Sequence, residues 1–330
     1  MASAYAKVHE SPSGPGDARP TAQQIIQDEG LEGKLEGKVI LITGCSSGLG
    51  IETARALLPT GATLYLTARD LDKARTALGD IAKSDRVHLL KLELDSLASV
   101  RAAAAVFLSK SKQLNILIAN AGVMMTPEGR TADGFETQLG INHLAHFLLF
   151  NLLKPALLAS TTPKFNSRVV FLSSIAHRTG EVNFDNINLN NVYHPWVAYS
   201  QSKLANIWTA NEIEHRYSAL GLHAFSVQPG PTGTGLYQHL SAEDVAASQS
   251  DPALGKIFKT PQQGAATSVW GAVAKALEGK GGSYLEDCQI SKEWDPTSGE
   301  WAPGYASFAY DEKKEAELWA KSVELVGLNE

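Results

Sequence analysis

Short apolar, β-rich runs recur along most of the chain, at residues 39–43, 63–67, 87–92, 116–119, 169–172, 224–227 and 284–290, with helical stretches between them. That alternation constrains the fold more than any other feature. Side chains alternate sides along a strand, so a strand apolar at successive positions needs apolar cover on both faces. Parallel strands also need long crossovers, and the helical stretches, clearest at 71–83, 97–108, 134–158, 196–220 and 261–277, are long enough to supply them. The expected architecture is α/β: a single doubly wound parallel sheet of about seven strands with helices on both faces.

No internal repeat or linker interrupts this pattern, so residues 36–330 read as a single dinucleotide-binding catalytic domain. Residues 1–35 read as an N-terminal arm, mobile over about the first 20, with a short helix at 21–31 that turns Ile25 and Ile26 toward the body. One segment, about 236–260, is mixed in polarity and contains Gly and Pro. It follows the sixth strand, where sheets of this kind carry ligand-covering loops, and both a substrate loop and a plain surface loop fit it.

Composition excludes several functions. Charged residues are 19% and the formal net charge is −6 without a dense basic stretch, so no nucleic-acid partner is expected. Cys45 and Cys288 form neither a disulfide framework nor a paired metal motif and read as reduced thiols. The nine histidines are scattered; His143 and His146 have a usable helical spacing but no partner motif, so no metal site is expected. No run reaches the roughly 18 apolar residues of a membrane span. The N-terminus lacks a signal-peptide core and Leu328-Asn329-Glu330 is not a peroxisomal address, which leaves a cytoplasmic location as the expectation.

The first strand runs straight into Thr43-Gly44-Cys45-Ser46-Ser47-Gly48-Leu49-Gly50 and then a helix beginning near Ile51. Glycines in such a turn let the backbone approach a ligand, and the helix N-terminus offers unpaired N–H groups to a pyrophosphate. This places a dinucleotide at the edge of a Rossmann-type sheet. The second strand bears on which one. It is followed by Ala68-Arg69-Asp70; a cation here suits the 2′-phosphate of NADP(H), and NAD(H) is the alternative if Asp70 acts as the ribose-binding carboxylate. Asp70 also fits as N-cap of the helix from Leu71.

Tyr199 and Lys203 lie four residues apart, on one face of a helix, where the ammonium would pull the phenol pKa down from about 10 toward a working range. Tyr310 and Lys314 repeat the spacing, but in a charged run that reads as the solvated start of a terminal helix.

Five marks occur in order: Thr43-Gly44-x-x-x-Gly48-x-Gly50, Asn120-Ala121-Gly122, Asn142, the serine ending the fifth strand, and Tyr199-x-x-x-Lys203. In these the chain from Lys38 onward resembles the short-chain dehydrogenase/reductase family. It is most similar to the retinol-dehydrogenase-like and WW-domain-oxidoreductase-like subgroup in Ser173-Ser174-Ile175-Ala176-His177, Asn183-Phe184-Asp185-Asn186-Ile187-Asn188 and Tyr199-Ser200-Gln201-Ser202-Lys203-Leu204-Ala205-Asn206. Gln228 stands where that subgroup usually has histidine.

The resemblance implies that Tyr199 is the general acid or base, that Lys203 lowers its pKa and binds the nicotinamide ribose, and that Ser174 orients the substrate oxygen while Ser173 faces away. Asn142 would hold a water in a proton relay to Lys203. For the cofactor it implies Gly44, Ser46, Ser47, Gly48, Leu49 and Gly50 at the pyrophosphate and Arg69 at the 2′-phosphate. Leu94 and Asp95 would meet the adenine, with Asp95 also a candidate N-cap. Asn120, Ala121 and Gly122 would line the cofactor path, and Pro229, Gly230, Thr232 and Thr234 the carboxamide side.

The expected function is NADP(H)-dependent interconversion of a carbonyl and an alcohol on a hydrophobic or aromatic small molecule, such as a lipid aldehyde, retinoid-like alcohol or polyketide-type ketone. Trp196, Tyr193, Tyr237 and Leu236 near the expected site mouth suit such a substrate, and His177 and His194 fit either the pocket or the surface. The alternative is a catalytically silent cofactor-binding regulator or scaffold of the same fold. The apolar helices at 134–158 and 196–220 resemble surfaces that build a homodimer or homotetramer.

Overall fold

The computed structural model describes residues 4–329, apart from the side chains of Ser248 and Gln249; residues 1–3 of the arm and Glu330 of the C-terminal tripeptide lie outside it. Eight strands form one sheet: β1 (Val39–Ile42), β2 (Thr63–Ala68), β3 (Val87–Lys91), β4 (Ile116–Ala119), β5 (Ser167–Leu172), β6 (Leu222–Gln228), β7 (Tyr284–Glu286) and β8 (Gln289–Ile290). Their order is β3-β2-β1-β4-β5-β6-β7-β8, and all neighbours pair in parallel except β7 and β8. The chain winds one way from β1 through β3 and the other way from β4. The switch point therefore falls between β1 and β4, and a ligand crevice is expected outside their carboxyl ends.

Helices follow in the order α1 (Ala6–His9), α2 (Ala22–Asp28), α3 (Leu49–Leu57), α4 (Leu71–Leu78), α5 (Leu97–Lys110) and α6 (Thr137–Leu139), which continues through a π-helical turn, Gly140–Leu144, into α7 (Ala145–Ala159). Then come α8 (Pro195–Tyr217), α9 (Ala242–Ser250), α10 (Pro252–Ile257), α11 (Pro261–Gly264), α12 (Ala266–Val273) and α13 (Glu312–Leu325). β1 shows how the sheet is covered. Leu41 faces a core with Phe107 of α5, Leu148 of α7 and Trp208 of α8, while Ile40 and Ile42 face one with Ile25 of α2, Leu57 of α3 and Trp270 of α12. Ile25 and Ile26 are fully buried, as their apolar pairing required.

Four expectations change. The run 284–290 is two antiparallel strands, because Asp287 (φ 52°) and Cys288 (φ 53°) are both left-handed and reverse the chain in two residues. Residues 236–260 are mostly helical; Ser241 and Asp244 form a reciprocal cap on α9, and Asp251 caps α10 before Pro252. The described part of the arm is docked rather than mobile, since the buried Arg19 guanidinium donates to the carbonyls of Ile257 (2.7 Å) and Phe258 (2.6 Å). Finally, α7 and α8 do not offer a bare apolar face to a second copy. Trp319 of α13 packs edge-on against Phe147 (4.9 Å between centroids), and Ser322 bonds His143 at 2.8 Å.

Candidate active site

The β1–α3 turn is shaped by contact. At Gly44 (φ 75°) a Cβ would meet the Ala121 Cβ at 2.8 Å, and at Gly50 a Cβ would meet the Gly44 carbonyl oxygen at 2.4 Å. Only glycine fits either position. Gly48 caps α3 without a side-chain bond, so the first N–H groups of α3 stay available at the positive end of the helix dipole. Asn120 Nδ2 donates to the Thr43 carbonyl at 2.8 Å and Ala121 N to Thr43 Oγ at 3.0 Å, tying the β1 and β4 ends together.

A cavity of about 1070 Å³ opens over these carboxyl ends. Ser46, Ser47, Gly48, Leu49 and Gly44 line it beneath α3. Asn120, Ala121 and Gly122 continue its floor to Ser174, Tyr199 and Lys203, and Pro229, Gly230 and Thr234 form the far side. At the other end lie Arg69, Lys73, Leu94 and Asp95. Three expected residues are outside the lining. Gly50 acts through close packing and Asn142 is fully buried behind Gly122. Thr232 is buried, its hydroxyl donating to the Gly230 carbonyl at 3.1 Å.

Asp70 does not point into the cavity. Its Oδ1 accepts from the Asp72 and Lys73 amides, both at 3.0 Å, as the N-cap of α4, while Arg69 lines the cavity. Asp95, in contrast, is not the cap of α5; Ser96 is. The post-β6 turn is held by a residue that nothing in the sequence singled out. Lys259 Nζ donates to the Pro229 carbonyl at 3.0 Å and to Asp287 Oδ1 at 2.7 Å, and a Cβ on Gly230 (φ 88°) would meet it at 2.9 Å.

Tyr199 and Lys203 sit on the buried face of α8. Lys203 Nζ lies 5.5 Å from the Tyr199 ring centroid and donates to the Leu172 carbonyl at 3.1 Å. Burial pushes the Lys203 ammonium down to about 8. The Tyr199 phenol is pushed above its ordinary value by burial, although a hydrogen bond with the Ser174 side chain works against this. The expected downward pull is thus outweighed: a buried phenolate lacks solvation, so the phenol keeps its proton. Ser173 donates to the Lys203 carbonyl at 2.8 Å, which leaves Ser174 as the hydroxyl beside the phenol.

Asn142 occupies the π-helical turn. Its side chain accepts from Val123 N at 2.8 Å and donates to the Val123 carbonyl and Ser202 Oγ, each at 2.9 Å. A Cβ on Gly122 would lie 3.1 Å from Asn142 Oδ1 and 3.3 Å from Lys203 Nζ, so both border that glycine. The Asn142 carbonyl is bonded to His146 Nδ1 at 3.0 Å, and His146 Nε2 to Thr43 Oγ at 2.9 Å. The i, i+4 spacing of Asn142 and His146 is the one sequence signal for this link.

The remaining candidates disperse. His177 is buried behind Ser174, between the Ser174 carbonyl (2.6 Å) and Ala306 N (3.0 Å), and His194 caps α8; neither lines the cavity. Trp196, Leu236 and Tyr237 do, with Met124 and Met125, whereas the Tyr193 hydroxyl donates to the Thr126 carbonyl at 2.6 Å. Tyr310 accepts from Tyr284 N at 2.9 Å and Lys314 pairs with Glu181, away from the cavity. Among the described residues no three His, Cys, Asp or Glu side chains gather as a metal site, and no helix is long and apolar enough to cross a membrane.

A doubly wound sheet with a glycine turn and a tyrosine–lysine pair converging on its carboxyl edge defines a class, the nucleotide-dependent α/β oxidoreductases. The comparisons narrow it: the short chain dehydrogenase family matches residues 38–245. Short-chain dehydrogenase/reductase prx1 of Penicillium roqueforti is 48% identical over 99% of this chain and 96% of its own length. Human retinol dehydrogenase 12 is 39% identical over 89% of this chain and 88% of its own. A crystal structure of an uncharacterized Mycobacterium paratuberculosis protein superposes with a TM-score of 0.68 at 31% identity, over 98% of this chain and 97% of that one. The chain belongs to the short-chain dehydrogenase family and is an oxidoreductase of its retinol-dehydrogenase-like subgroup.

Proposed function

We propose that the chain interconverts a ketone or aldehyde with the corresponding alcohol on a hydrophobic or aromatic small molecule, using NADP(H). The observation that carries this reading is the pairing of the Ser174 and Tyr199 hydroxyls beside buried Lys203, at the floor of a cavity whose outer wall is Met124, Met125, Trp196, Leu236 and Tyr237. Retinol dehydrogenase 12 is named for retinol, and the apolar wall supports a hydrophobic substrate here too.

The residues fit the cofactor. The glycine turn would admit a pyrophosphate that an added Cβ would exclude, with Ser46, Ser47 and Leu49 beside it at the N-terminus of α3. Arg69 would meet the 2′-phosphate and Leu94 and Asp95 the adenine. Pro229, Gly230 and Thr234 would hold the carboxamide, and Lys203 the ribose. Arg69 in the cavity wall with Asp70 turned to the α4 cap supports NADP(H) over NAD(H). When bound, the nicotinamide exchanges a hydride with the carbonyl carbon.

The chain's own residues handle the oxygen. Ser174 donates a hydrogen bond that fixes the carbonyl, and Tyr199 delivers its proton to that oxygen in reduction or takes it in oxidation. A phenol kept protonated by burial is suited to the acid role, and the Lys203 ammonium stabilises the phenolate left behind. Asn142, which borders Gly122 beside Lys203, would hold the water of the relay that restores the proton.

Following NADPH absorbance with a panel of apolar ketones, aldehydes and quinones tests the assignment. Turnover with at least one carbonyl is expected, whereas tight NADPH binding without turnover would identify a silent cofactor-binding protein.

A further inference from the structure

The N-terminal arm enters the same cavity. His9, Glu10, Pro12 and Arg19 line it, together with Val245, Leu254, Ile257 and Phe258 from α9, α10 and the residue after them. α9 and α10 contact each other, yet residues 242–247 of α9 are exposed. What anchors this pair to the body is therefore decisive for the shape of the cavity.

Directly after α10, Lys259 N donates to the Pro231 carbonyl at 2.9 Å, and two side-chain hydrogen-bonding anchors hold the helix pair itself. At the α9–α10 junction, Trp301 Nε1 donates to Asp251 Oδ2 at 2.9 Å. At the far end is Arg19, 4% exposed and more than 200 residues away in sequence. Its Nη1 donates to the Ile257 carbonyl at 2.7 Å, and its Nη2 to the carbonyls of Phe258 at 2.6 Å and Gly14 at 3.0 Å. Nε donates to Asp17 Oδ1 at 2.8 Å. The carbonyls at the C-terminus of α10 have no intrahelical partner and carry the negative end of the helix dipole, so a guanidinium fork both satisfies and neutralises them.

The arm around Arg19 is itself pinned. Gln263 Oε1 accepts from Gly16 N at 2.9 Å, and its Nε2 donates to the carbonyls of Asp17 (3.1 Å) and Arg19 (3.0 Å). Asp17 also accepts from Ser13 N at 2.9 Å. Arg19 thus joins a pinned strap to the C-terminal end of α10, next to the Lys259 backbone bond to Pro231.

We propose that Arg19 is a positioning residue that locks α9 and α10 over the substrate end of the cavity, so that the arm determines which carbonyl compounds the site accepts. This rests on the carbonyl-reductase reading for its substrates but not for the clamp. The favoured substrate is an apolar compound small enough for the cavity with α9 and α10 held in place against the arm.

The full-length chain carrying Arg19→Ala tests this in two ways. Without any ligand, amide hydrogen exchange across 242–258 should quicken at least about tenfold while the central strands stay unchanged, the scale expected for losing several charge-assisted hydrogen bonds. With NADPH, KM for bulky carbonyls should change at least about fivefold relative to small ones, with kcat and NADPH affinity within about twofold. Arg19→Lys keeps the charge but not the fork, and should restore only part of the protection.

Unchanged exchange in Arg19→Ala would overturn the clamp. Unchanged relative KM across the panel would overturn its role in specificity. Should Arg19→Ala fail to fold, Glu10→Trp decides the second point from an exposed arm position, by shifting preference toward smaller carbonyls or leaving it unmoved. If the wild type reduces no carbonyl, the functional reading falls, and the exchange measurement still decides the clamp.

Discussion

Lys203 Nζ lies 5.5 Å from the centre of the Tyr199 ring and shares the Leu172 carbonyl with Asn206 Nδ2, at 3.1 and 2.9 Å. The ammonium is therefore held at a fixed place beside the phenol by the end of β5. Its burial costs the folded state.

That cost is measurable through pH. With a folded pKa of about 8 against an ordinary 10.5, Lys203 is charged in both states below pH 8, and the full penalty acts there. Between the two values the unfolded chain holds more protons, so this residue's contribution to stability improves as pH rises. The stability margin of Lys203→Met over the wild type should shrink, by an amount on the order of 3 kcal/mol, as pH rises from 7 toward 10.5. Asn206 keeps Leu172 satisfied in the variant, and titrating groups that Lys203 does not influence cancel in the difference. Urea unfolding at several pH values measures it, and a margin that does not vary with pH would contradict the account.

Arg69→Ala should weaken NADPH binding by about ten- to a hundredfold and leave NADH nearly unaffected, as expected for losing charge-assisted contacts to one phosphate. Asp70→Ala should lower the melting temperature slightly and leave the cofactor preference unchanged, because its carboxylate caps α4. Fluorescence titration with both dinucleotides checks each; a switch in preference on changing Asp70 would reverse their assigned roles.

Cross-linking through residues of α7 or α8 should capture no dimer, since α13 covers that face with Leu318 and Trp319. A homodimer or homotetramer would have to use another surface. Trp319→Ala should destabilise the fold by about 3–5 kcal/mol, in the range for large-to-small core changes. A wild-type dimer cross-linked through α7 or α8 would contradict this.

The sheet and the central site were legible in sequence because both rest on local rules. Strand runs buried on both faces fix a parallel sheet, the glycine turn follows β1 directly, and Tyr199 and Lys203 need only helical spacing to share a face. What escaped depends on pairing across long separations. Nothing near Arg19 announces its partners at Ile257 and Phe258, and nothing near Lys259 announces Pro229 or Asp287. The β7–β8 reversal was hidden because Asp287-Cys288 lacks the glycine that usually marks two left-handed residues. The helices in 236–260 did carry a local signal, Ser241-x-x-Asp244 and Asp251-Pro252, which the mixed polarity of the segment obscured.

The central claim is that Tyr199 is the proton donor beside a bound NADP(H). Its most direct test is turnover by Tyr199→Phe with the best carbonyl substrate of the wild type, alongside NADPH affinity. The account predicts a loss of kcat of at least about a hundredfold, the lower range for removing a general acid, with NADPH affinity unchanged within about twofold. A variant that kept a substantial fraction of wild-type kcat would contradict it.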